Sequence, residues 1–212
     1  MPGNGYMQSK WVAEQLIKAA AARGLPVAIH RPGRVTGHSG TGAAGDADAF
    51  WHYVRACVEL GIAPIWTDGQ LYGADLVPVD YVTAAIVRLS REREPDGTPY
   101  NLVNPVRTRS EAVLRRVELL AHTLQRTAPG RWEEALVAAV PHAEEGSSLP
   151  PVAMRTHDVE EKEASLGNRF DDANARRALA GTGVGCPVLD DEVIDRYLRF
   201  FTEIGFLPGP AA

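Results

Sequence analysis

The spacing of apolar residues in the first hundred positions changes between that of helices and that of strands. Apolar side chains recur at roughly helical spacing over residues 8–23, which predicts a helix there. These side chains are Trp11, Leu16, Ile17 and Ala20. A short apolar run follows at residues 27–30, as expected of a parallel strand covered on both faces. Gly24-Leu25-Pro26 between them is a helix stop followed by a strand start.

Helices and strands continue to alternate up to residue 103. A helix is predicted over residues 47–60, ending at Gly61, and a short strand over residues 75–79. Asp80 is a good N-cap for a helix through about residue 91, so its carboxylate is interpreted as structural rather than catalytic. Residues 100–103 form the last predicted strand. This alternation indicates the α/β class.

From residue 109 the sequence becomes mainly helical. Amphipathic helices are predicted over residues 111–125, 132–140 and 190–204. Residues 143–151 carry glycine, serine and paired prolines, which indicate a loop, and the charged stretch 157–167 is expected to be exposed. The last helix carries a stripe that is interpreted as core rather than as a substrate wall: Tyr197, Phe200, Phe201 and Ile204.

Length and composition limit the kind of protein. A chain of 212 residues holds one large domain, or one domain with a small lobe. A net charge of −5 and a pI near 5.7 argue against nucleic acid as the main partner. No apolar run reaches the length of a membrane span, so no membrane partner is expected. The six histidines show no paired ligand spacing, so no metal site is expected.

Two further features of composition bear on location and ligands. The two cysteines, Cys57 and Cys186, suit a reducing cytoplasm, and Cys57 in a predicted helix is interpreted as a small core residue. The first 45 residues contrast with the acidic whole, because five lysine and arginine side chains stand against Glu14 alone. Two interpretations stay open: a solvated helix face, or a surface facing a phosphorylated cofactor or a phosphopantetheine arm.

Tyr6 and Lys10 are the strongest candidates for chemistry. Four residues apart at a helix start, they share one face, with Cβ atoms about 5–6 Å apart. There the lysine ammonium stabilises the phenolate, which makes the tyrosine a usable proton donor near neutral pH. The alternative is an ordinary helix start with an exposed lysine and a half-buried tyrosine.

The strand after this helix runs into two features that could meet a ligand. Arg31-Pro32-Gly33 is a rigid turn at the carboxyl end of a strand, where ligands bind in such folds. Residues 35–46, the glycine-rich loop, have a length that favours a flexible substrate gate over a plain connection. His38 within the loop is interpreted as solvent-exposed, although it could touch a substrate.

Four segments of the sequence resemble the thioester reductase domains that end nonribosomal peptide synthetases and carboxylic acid reductases. They are GYMQSKWVAEQL, RPGRVTGHSGTG, LVPVDYVTAAIVRL and a tail from RFDDANARRALAGTG to GFLP. Such domains are extended short-chain dehydrogenases/reductases, a superfamily that shares the tyrosine and lysine pair. The resemblance implies that residues 1–108 are the carboxyl-terminal half of a Rossmann-like, NAD(P)-binding parallel sheet. It implies a mostly helical lobe over residues 109–212 that binds substrate and faces the carrier protein.

The resemblance also implies a role for each candidate residue. Tyr6 would give a proton to the carbonyl oxygen as hydride arrives, and Lys10 would bond the nicotinamide ribose hydroxyls. The residues implied to contact the cofactor, expected to be NADPH, are Tyr6, Lys10, Pro32, Gly33 and Val35. Those implied to border the substrate channel are Thr36, His38 and Ser39. The reaction would release a carrier-bound acyl or peptidyl thioester as an aldehyde, or as an alcohol after a second hydride.

Two parts of such an enzyme are missing from the sequence. No G-x-x-G-x-x-G motif follows a first strand, so no helix N-terminus is offered to the cofactor pyrophosphate. The serine or threonine of the family's catalytic triad precedes the tyrosine, where only Met1-Pro2-Gly3-Asn4-Gly5 stand here. The chain is therefore expected to be the carboxyl-terminal portion of a longer enzyme and to be inactive alone. The missing half, or another chain, would be needed to cover the apolar edge of its parallel strands.

Two other functions are compatible with these residues. A sugar-nucleotide epimerase or dehydratase shares the tyrosine, the lysine and the turn after the strand, but the tail is more similar to thioester reductases. A non-catalytic remnant that docks a carrier protein is the other alternative, since the cofactor half is missing.

Overall fold

The computed structural model describes residues 5–66, 76–92, 95–120, 122–156 and 170–209. The helices are α1 (Gly5–Ala21), α2 (Ala49–Leu60), α3 (Val79–Glu92), α4 (Ser110–Leu119), α5 (Pro129–Ala139), α6 (Leu149–Thr156), α7 (Ala173–Leu179) and α8 (Asp191–Glu203). The strands are β1 (Val27–Pro32), β2 (Arg34–Thr36), β3 (Ile62–Pro64), β4 (Leu76–Pro78), β5 (Asp96–Leu102) and β6 (Gln125–Thr127). The predicted charged stretch 157–167 and the first residue of the strand predicted over 75–79 lie outside the described residues.

The described strands form three parallel pairs, β1 with β5, β2 with β4, and β3 with β6. β1 and β2 are successive parts of one extended segment, which changes partner at Gly33. There the Gly33 N–H donates to the Leu102 carbonyl oxygen at 2.9 Å. Parallel strands need crossover connections such as helices, and the predicted α/β class is confirmed.

Several predicted boundaries are wrong: the strand predicted over residues 100–103 is β5, which begins at Asp96, and α6 begins at Leu149 within the loop predicted over residues 143–151. Strand pairing explains two others. Val35, predicted to begin a loop, lies in β2 and pairs with Val77 of β4. Gln125, predicted to end a helix, begins β6 instead, because α4 ends at Leu119. The Gln125 N–H donates to the Gly61 carbonyl oxygen at 2.9 Å, next to the partner strand β3. In both places a backbone ladder with a distant strand outweighs the local preference.

Two groups of buried side chains hold these elements together. The larger lies among the helices, and its bulkiest members are Trp51, Tyr53, Trp132, Tyr197 and Phe201. The smaller lies between the strands, α3 and α7, and includes Val77, Tyr81, Leu89, Leu102 and Leu179. Since α2 belongs to the first group and α7 to the second, the packing crosses residue 108 in both directions. The division into residues 1–108 and 109–212 therefore stays a prediction about roles.

The aromatic stripe of the last helix is only partly core. Tyr197 and Phe201 are fully buried, as predicted, and Phe200 is half-buried. Ile204 is 51% exposed, because α8 ends at Glu203 and Ile204 lies at the C-cap. The helical period thus identified the buried face, but not the residue at which the helix ends.

One of the two cysteines is a core residue. Cys57 is fully buried in α2, as predicted, and burial raises the pKa of its thiol to about 12. Cys57 and Cys186 are both free thiols.

Within the described part of the chain, no helix combines the length and apolar character needed to cross a bilayer.

Helix α1 carries its apolar stripe on the surface. None of its residues is buried, and Trp11, Leu16 and Ile17 are 45%, 67% and 43% exposed. The helical period of these residues is as predicted, but the described residues provide no element that covers them. Exposed apolar stripes of this kind are common at interaction surfaces.

Candidate functional site

Tyr6 and Lys10 lie on the exposed surface of α1, near its start. The Tyr6 side chain is 66% exposed, and Lys10 Nζ lies 5.4 Å from the centroid of its ring. The two side chains therefore share one helix face, as a spacing of one turn requires. The Ser9 hydroxyl donates to the Tyr6 backbone oxygen at 2.7 Å, so this serine is engaged with its own helix.

A charged contact holds α1 against β1 and sets the position of the phenol. Arg31 on β1 donates through Nε to Glu14 Oε2 at 2.8 Å, and through its terminal nitrogen to the other carboxylate oxygen. The eight residues of helix between Glu14 and Tyr6 rise 1.5 Å each, or about 12 Å in all. Since α1 and β1 run in opposite directions through a short turn, Tyr6 lies past the carboxyl end of β1, on the side of the Pro32-Gly33 turn.

Because this contact needs an ionised Glu14, we expect the attachment of α1 to weaken in acid. Hydrogen bonds from Arg31 and Lys18 lower the pKa of Glu14 from an ordinary 4.5 to about 2. Such a carboxylate stabilises the folded state fully above its ordinary pKa, and this contribution is lost as the pH falls through the folded value. We expect the difference in free energy of unfolding between wild type and Glu14→Gln to be constant above about pH 5 and to shrink from there to about pH 2. Urea titration at a series of pH values measures it.

Glu145→Gln is the matched control for this experiment. Glu145 is an exposed acid in the loop before α6, far in sequence from α1. Its substitution is expected to leave the acid dependence of the free energy of unfolding as in the wild type. The role given to the ion pair would be contradicted if the difference in free energy of unfolding between wild type and Glu145→Gln shrank with falling pH as strongly as that for Glu14→Gln.

Three of the five basic side chains in the first 45 residues contact a carboxylate. Lys18 and Arg31 both bind Glu14, and Arg34 Nη1 lies 3.5 Å from Asp48 Oδ2. Because Lys18 and Arg31 share one carboxylate and two further cations take no part in these contacts, five positive charges face two negative ones, and both interpretations stay open. The lysine beside the phenol is not one of the three cations involved.

The glycine-rich loop is attached to the helices on both sides of it. The Tyr197 hydroxyl donates to the Gly37 carbonyl oxygen at 2.9 Å, and Arg196 Nη1 donates to that of Ser39 at 2.9 Å. Asp80 accepts from the Ser39 N–H at 2.9 Å and from the Ser39 hydroxyl at 2.6 Å. A loop held by α8 and by α3 is a fixed wall, which does not support the expectation of a flexible gate.

Asp80 binds the glycine-rich loop rather than capping a helix as predicted. The helix begins at Val79, so Asp80 stands within the first turn, and the prediction of an N-cap is wrong. The pairing of β2 with β4 brings the loop over the start of α3, where Ser39 supplies two donors. Burial raises the pKa of Asp80, but these hydrogen bonds outweigh it and lower the pKa below its ordinary value. The carboxylate is therefore ionised near neutral pH and anchors the loop.

Two residues of this anchorage are not evident from the sequence. The sequence pattern assigns Tyr197 to the core alone, although a buried hydroxyl needs a hydrogen-bond partner, which is a signal that could have been used. Burial raises the pKa of Tyr197, so its phenol stays protonated and donates. Arg196 carries no comparable signal, because an arginine on a helix surface normally faces solvent.

Removal of the Asp80 carboxylate is expected to release the loop. Asp80→Ala leaves two Ser39 donors without their acceptor, and hydrogen bonds to charged groups contribute about 1.5–3 kcal/mol, so a loss of that order in the free energy of unfolding is expected. Ser39→Ala is the matched variant, because it removes the hydroxyl and keeps the N–H, and its loss should be smaller. Urea unfolding measures both losses, and faster amide exchange at Ser39 in Asp80→Ala would report the opening. Equal losses would contradict an anchor that acts through both donors.

The predicted substrate residues, together with the neighbouring Val35 that is predicted to contact the cofactor, lie in two places. Val35 and Thr36 line a cavity of about 470 Å³ that lies between β2, α2 and α8. Ser39 is turned towards Asp80, and His38 is exposed, with its Nδ1 accepting from the Gly40 N–H at 3.1 Å. Thr36 thus lies with Val35 in one concave site, whereas His38 and Ser39 are not among the residues that line it.

The groups that a cofactor could use are the exposed ones on α1. The Tyr6 hydroxyl and the Lys10 ammonium are accessible donors on one face, which suits the neighbouring hydroxyls of a ribose. The Gly33 N–H is engaged with Leu102, so it is not available to a ligand. Over the described residues, no group of three or more histidine, cysteine, aspartate or glutamate side chains could hold a metal ion.

Comparisons with known proteins find similar sequences. A family model described as male sterility protein matches residues 1–86. A linear gramicidin synthase of Brevibacillus parabrevis is 33% identical over 208 residues, which cover 96% of this chain and 4% of the synthase.

Two solved structures are similar over nearly the whole chain. The crystal structure of the terminal R domain from the myxalamid PKS-NRPS biosynthetic pathway is 37% identical with a TM-score of 0.85, over 99% of this chain and 52% of that one. A thiolation-reductase di-domain from an archaeal non-ribosomal peptide synthetase shares the fold, with 19% identity and a TM-score of 0.75, over 97% of this chain and 42% of that one. The chain thus spans about half the length of the R domain and a small part of the synthase.

Proposed function

Because this chain belongs to the reductase domains of nonribosomal peptide synthetase type, within the extended short-chain dehydrogenase/reductase superfamily, we propose that it takes part in reductive release of a thioester. The substrate in this proposal is an acyl or peptidyl group on the phosphopantetheine of a carrier protein. The product is an aldehyde, or an alcohol after a second reduction.

One observation carries the proposal: the exposed Tyr6 and Lys10 pair that lies past the carboxyl end of β1. A carbonyl held beside the Pro32-Gly33 turn would meet a proton donor from α1. Tyr6 gives its proton to the carbonyl oxygen as negative charge develops there, and Lys10 stabilises the phenolate that is left. The hemithioacetal formed in this way loses the pantetheine thiol and becomes the aldehyde.

The cofactor in this proposal is NADPH, and when bound it supplies the hydride. Lys10 would hold its ribose hydroxyls, and Pro32, Gly33 and Val35 would lie along the nicotinamide. Because the sequence has no glycine-rich phosphate motif, the residues present fit only the nicotinamide end of the cofactor. The pyrophosphate would be held by polypeptide that carries this motif.

The partners follow from the surfaces of the chain. The exposed stripe of Trp11, Leu16 and Ile17 on α1 suits the half of the domain that carries the phosphate motif, or another chain that replaces it. Residues 1–108 would contribute to the cofactor site, and residues 109–212 would bind substrate and face the carrier protein. Two free thiols suit a cytoplasmic location.

Complementation in trans tests this function. The purified chain is mixed with a separately expressed amino-terminal half of a homologous reductase domain, and NADPH oxidation is followed with an acyl-pantetheine thioester. We expect aldehyde formation with both halves and none with either half alone. Activity on a nucleotide sugar and not on the thioester would favour the epimerase alternative. Binding of a carrier protein without any turnover would favour the non-catalytic alternative.

A further inference from the structure

The cavity beside Val35 and Thr36 indicates which thioesters the site accepts. We propose that it holds the carbon chain next to the reacting carbonyl, and that this chain is apolar and uncharged. The inference rests on the proposed function, since it assigns the cavity to the acyl part of that substrate. Its volume of about 470 Å³ lies within the range of about 300–1,000 Å³ that is usual for small-molecule sites.

The walls of the cavity are apolar and contain no free charge. Small side chains from the glycine-rich loop form one wall, and the rings of Trp51 and Phe200 contribute to the others. Among the described residues that line the cavity, Asp48 alone is charged. Its carboxylate accepts from the Phe50 N–H at 2.8 Å and pairs with Arg34, so it is already neutralised. A carboxylate or ammonium on the ligand would therefore be desolvated without a partner.

The side-chain polar atoms of Trp51 and Thr36, which both line the cavity, are hydrogen-bonded to each other. The Trp51 indole N–H donates to the Thr36 hydroxyl at 3.0 Å in a buried contact. Because its indole N–H is engaged, Trp51 can contact a ligand only through its aromatic carbons. A hydrocarbon chain makes no demand on these polar groups, whereas a polar chain would have to compete with an existing hydrogen bond.

The position of the cavity connects it to the reacting end of the site. Val35 and Thr36 follow the Pro32-Gly33 turn by two to four residues, at the carboxyl end of β2. A carbonyl beside the turn could thus extend its acyl chain directly into the cavity. The walls keep their shape, because Tyr197 and Arg196 hold the loop that forms one of them.

Binding to the purified chain tests the inference without turnover, since described residues of this chain line the cavity. Hexanoyl-pantetheine and adipoyl-pantetheine differ in that a carboxylate replaces the terminal methyl group. Isothermal titration is expected to give a Kd at least about tenfold higher for the adipoyl compound, because its carboxylate is buried without a partner. Equal affinities would overturn the proposal, as would tighter binding of the adipoyl compound.

Two variants change the cavity in opposite directions. Ala44→Phe fills it and is expected to raise the Kd of hexanoyl-pantetheine by about tenfold or more, which corresponds to about 1.4 kcal/mol. Ala138→Phe on the exposed face of α5 adds the same side chain elsewhere and should leave the Kd unchanged. Phe200→Ala enlarges the cavity, so decanoyl-pantetheine should gain affinity relative to the hexanoyl compound. The assignment would be overturned if Ala44→Phe left the Kd of hexanoyl-pantetheine unchanged and Phe200→Ala left the affinity of the decanoyl compound relative to the hexanoyl compound unchanged.

The inference and the proposed function fail in different experiments. If the complemented enzyme reduces the hexanoyl and adipoyl thioesters equally and the cavity variants keep wild-type affinities, the function stands and the acyl site is wrong. If the binding preferences hold but complementation gives no reduction, the acyl site stands and the reductase function is wrong.

Discussion

Tyr6→Phe is expected to lower the turnover of the complemented enzyme by about 10²–10⁴-fold, the usual contribution of a positioned proton donor. Phenylalanine keeps the ring that lies beside Lys10 and removes only the hydroxyl. The Kd for NADPH should therefore change little, because the ammonium remains available to the ribose. Steady-state kinetics with an acyl-pantetheine thioester and a separate titration of NADPH measure the two effects.

Ser9→Ala is the control for this variant on the same helical turn. Its hydroxyl donates to the Tyr6 backbone oxygen and is not part of the proposed chemistry, so turnover should stay near that of the wild type. A Tyr6→Phe enzyme that turns over at the wild-type rate would reject the role of the phenol. A parallel loss of NADPH binding would show that the hydroxyl holds the cofactor instead.

Gly42→Ala is expected to cost about 2–5 kcal/mol in the free energy of unfolding, from about 1–2 kcal/mol of left-handed backbone strain and about 1–3 kcal/mol of overpacking. The φ angle of Gly42 is 79°, which residues with a Cβ rarely adopt. A Cβ there would lie 2.4 Å from the Arg196 backbone oxygen and 2.7 Å from its carbonyl carbon. Neither the loop nor α8 can relieve this contact without moving, because their backbones meet there.

Gly45→Ala gives the matched comparison within the same loop. A Cβ at Gly45 meets no atom within 4 Å, and its φ angle is not in the left-handed region. Its substitution should therefore change the free energy of unfolding little, in urea titrations run beside those of Gly42→Ala. Similar stability of the two variants would show that the loop is not pressed against α8 as the structure places it.

The features that the sequence predicts well are local. The helix over residues 47–60 forms as α2 and ends at Gly61, whose φ of 66° explains why a glycine stands there. The Tyr6 and Lys10 pair needs only the helical period to place both side chains on one face. Capping, glycine stops and the helical period act over a few residues, so they can be recognised without knowledge of the rest of the fold.

The features that the sequence does not reveal join distant segments. The local pattern marks Asp80 as a cap, but the fold places Ser39, 41 residues earlier, within reach of its carboxylate. The attachments of the loop to Arg196 and Tyr197 span 157 and 160 residues. No local pattern distinguishes such a contact from an arginine in solvent or a tyrosine in a core.

The sequence by itself thus determined the α/β class, the helix that carries the tyrosine and lysine, and the turn that follows its strand. Only the tertiary structure decided that the glycine-rich loop is a fixed wall, that three of the five basic side chains near the start contact two carboxylates, and that an apolar cavity opens beside β2. The physical reason is one of range. Backbone propensities and side-chain periods are set by near neighbours, whereas the partner of a carboxylate, a hydroxyl or an apolar stripe is chosen by how remote segments pack.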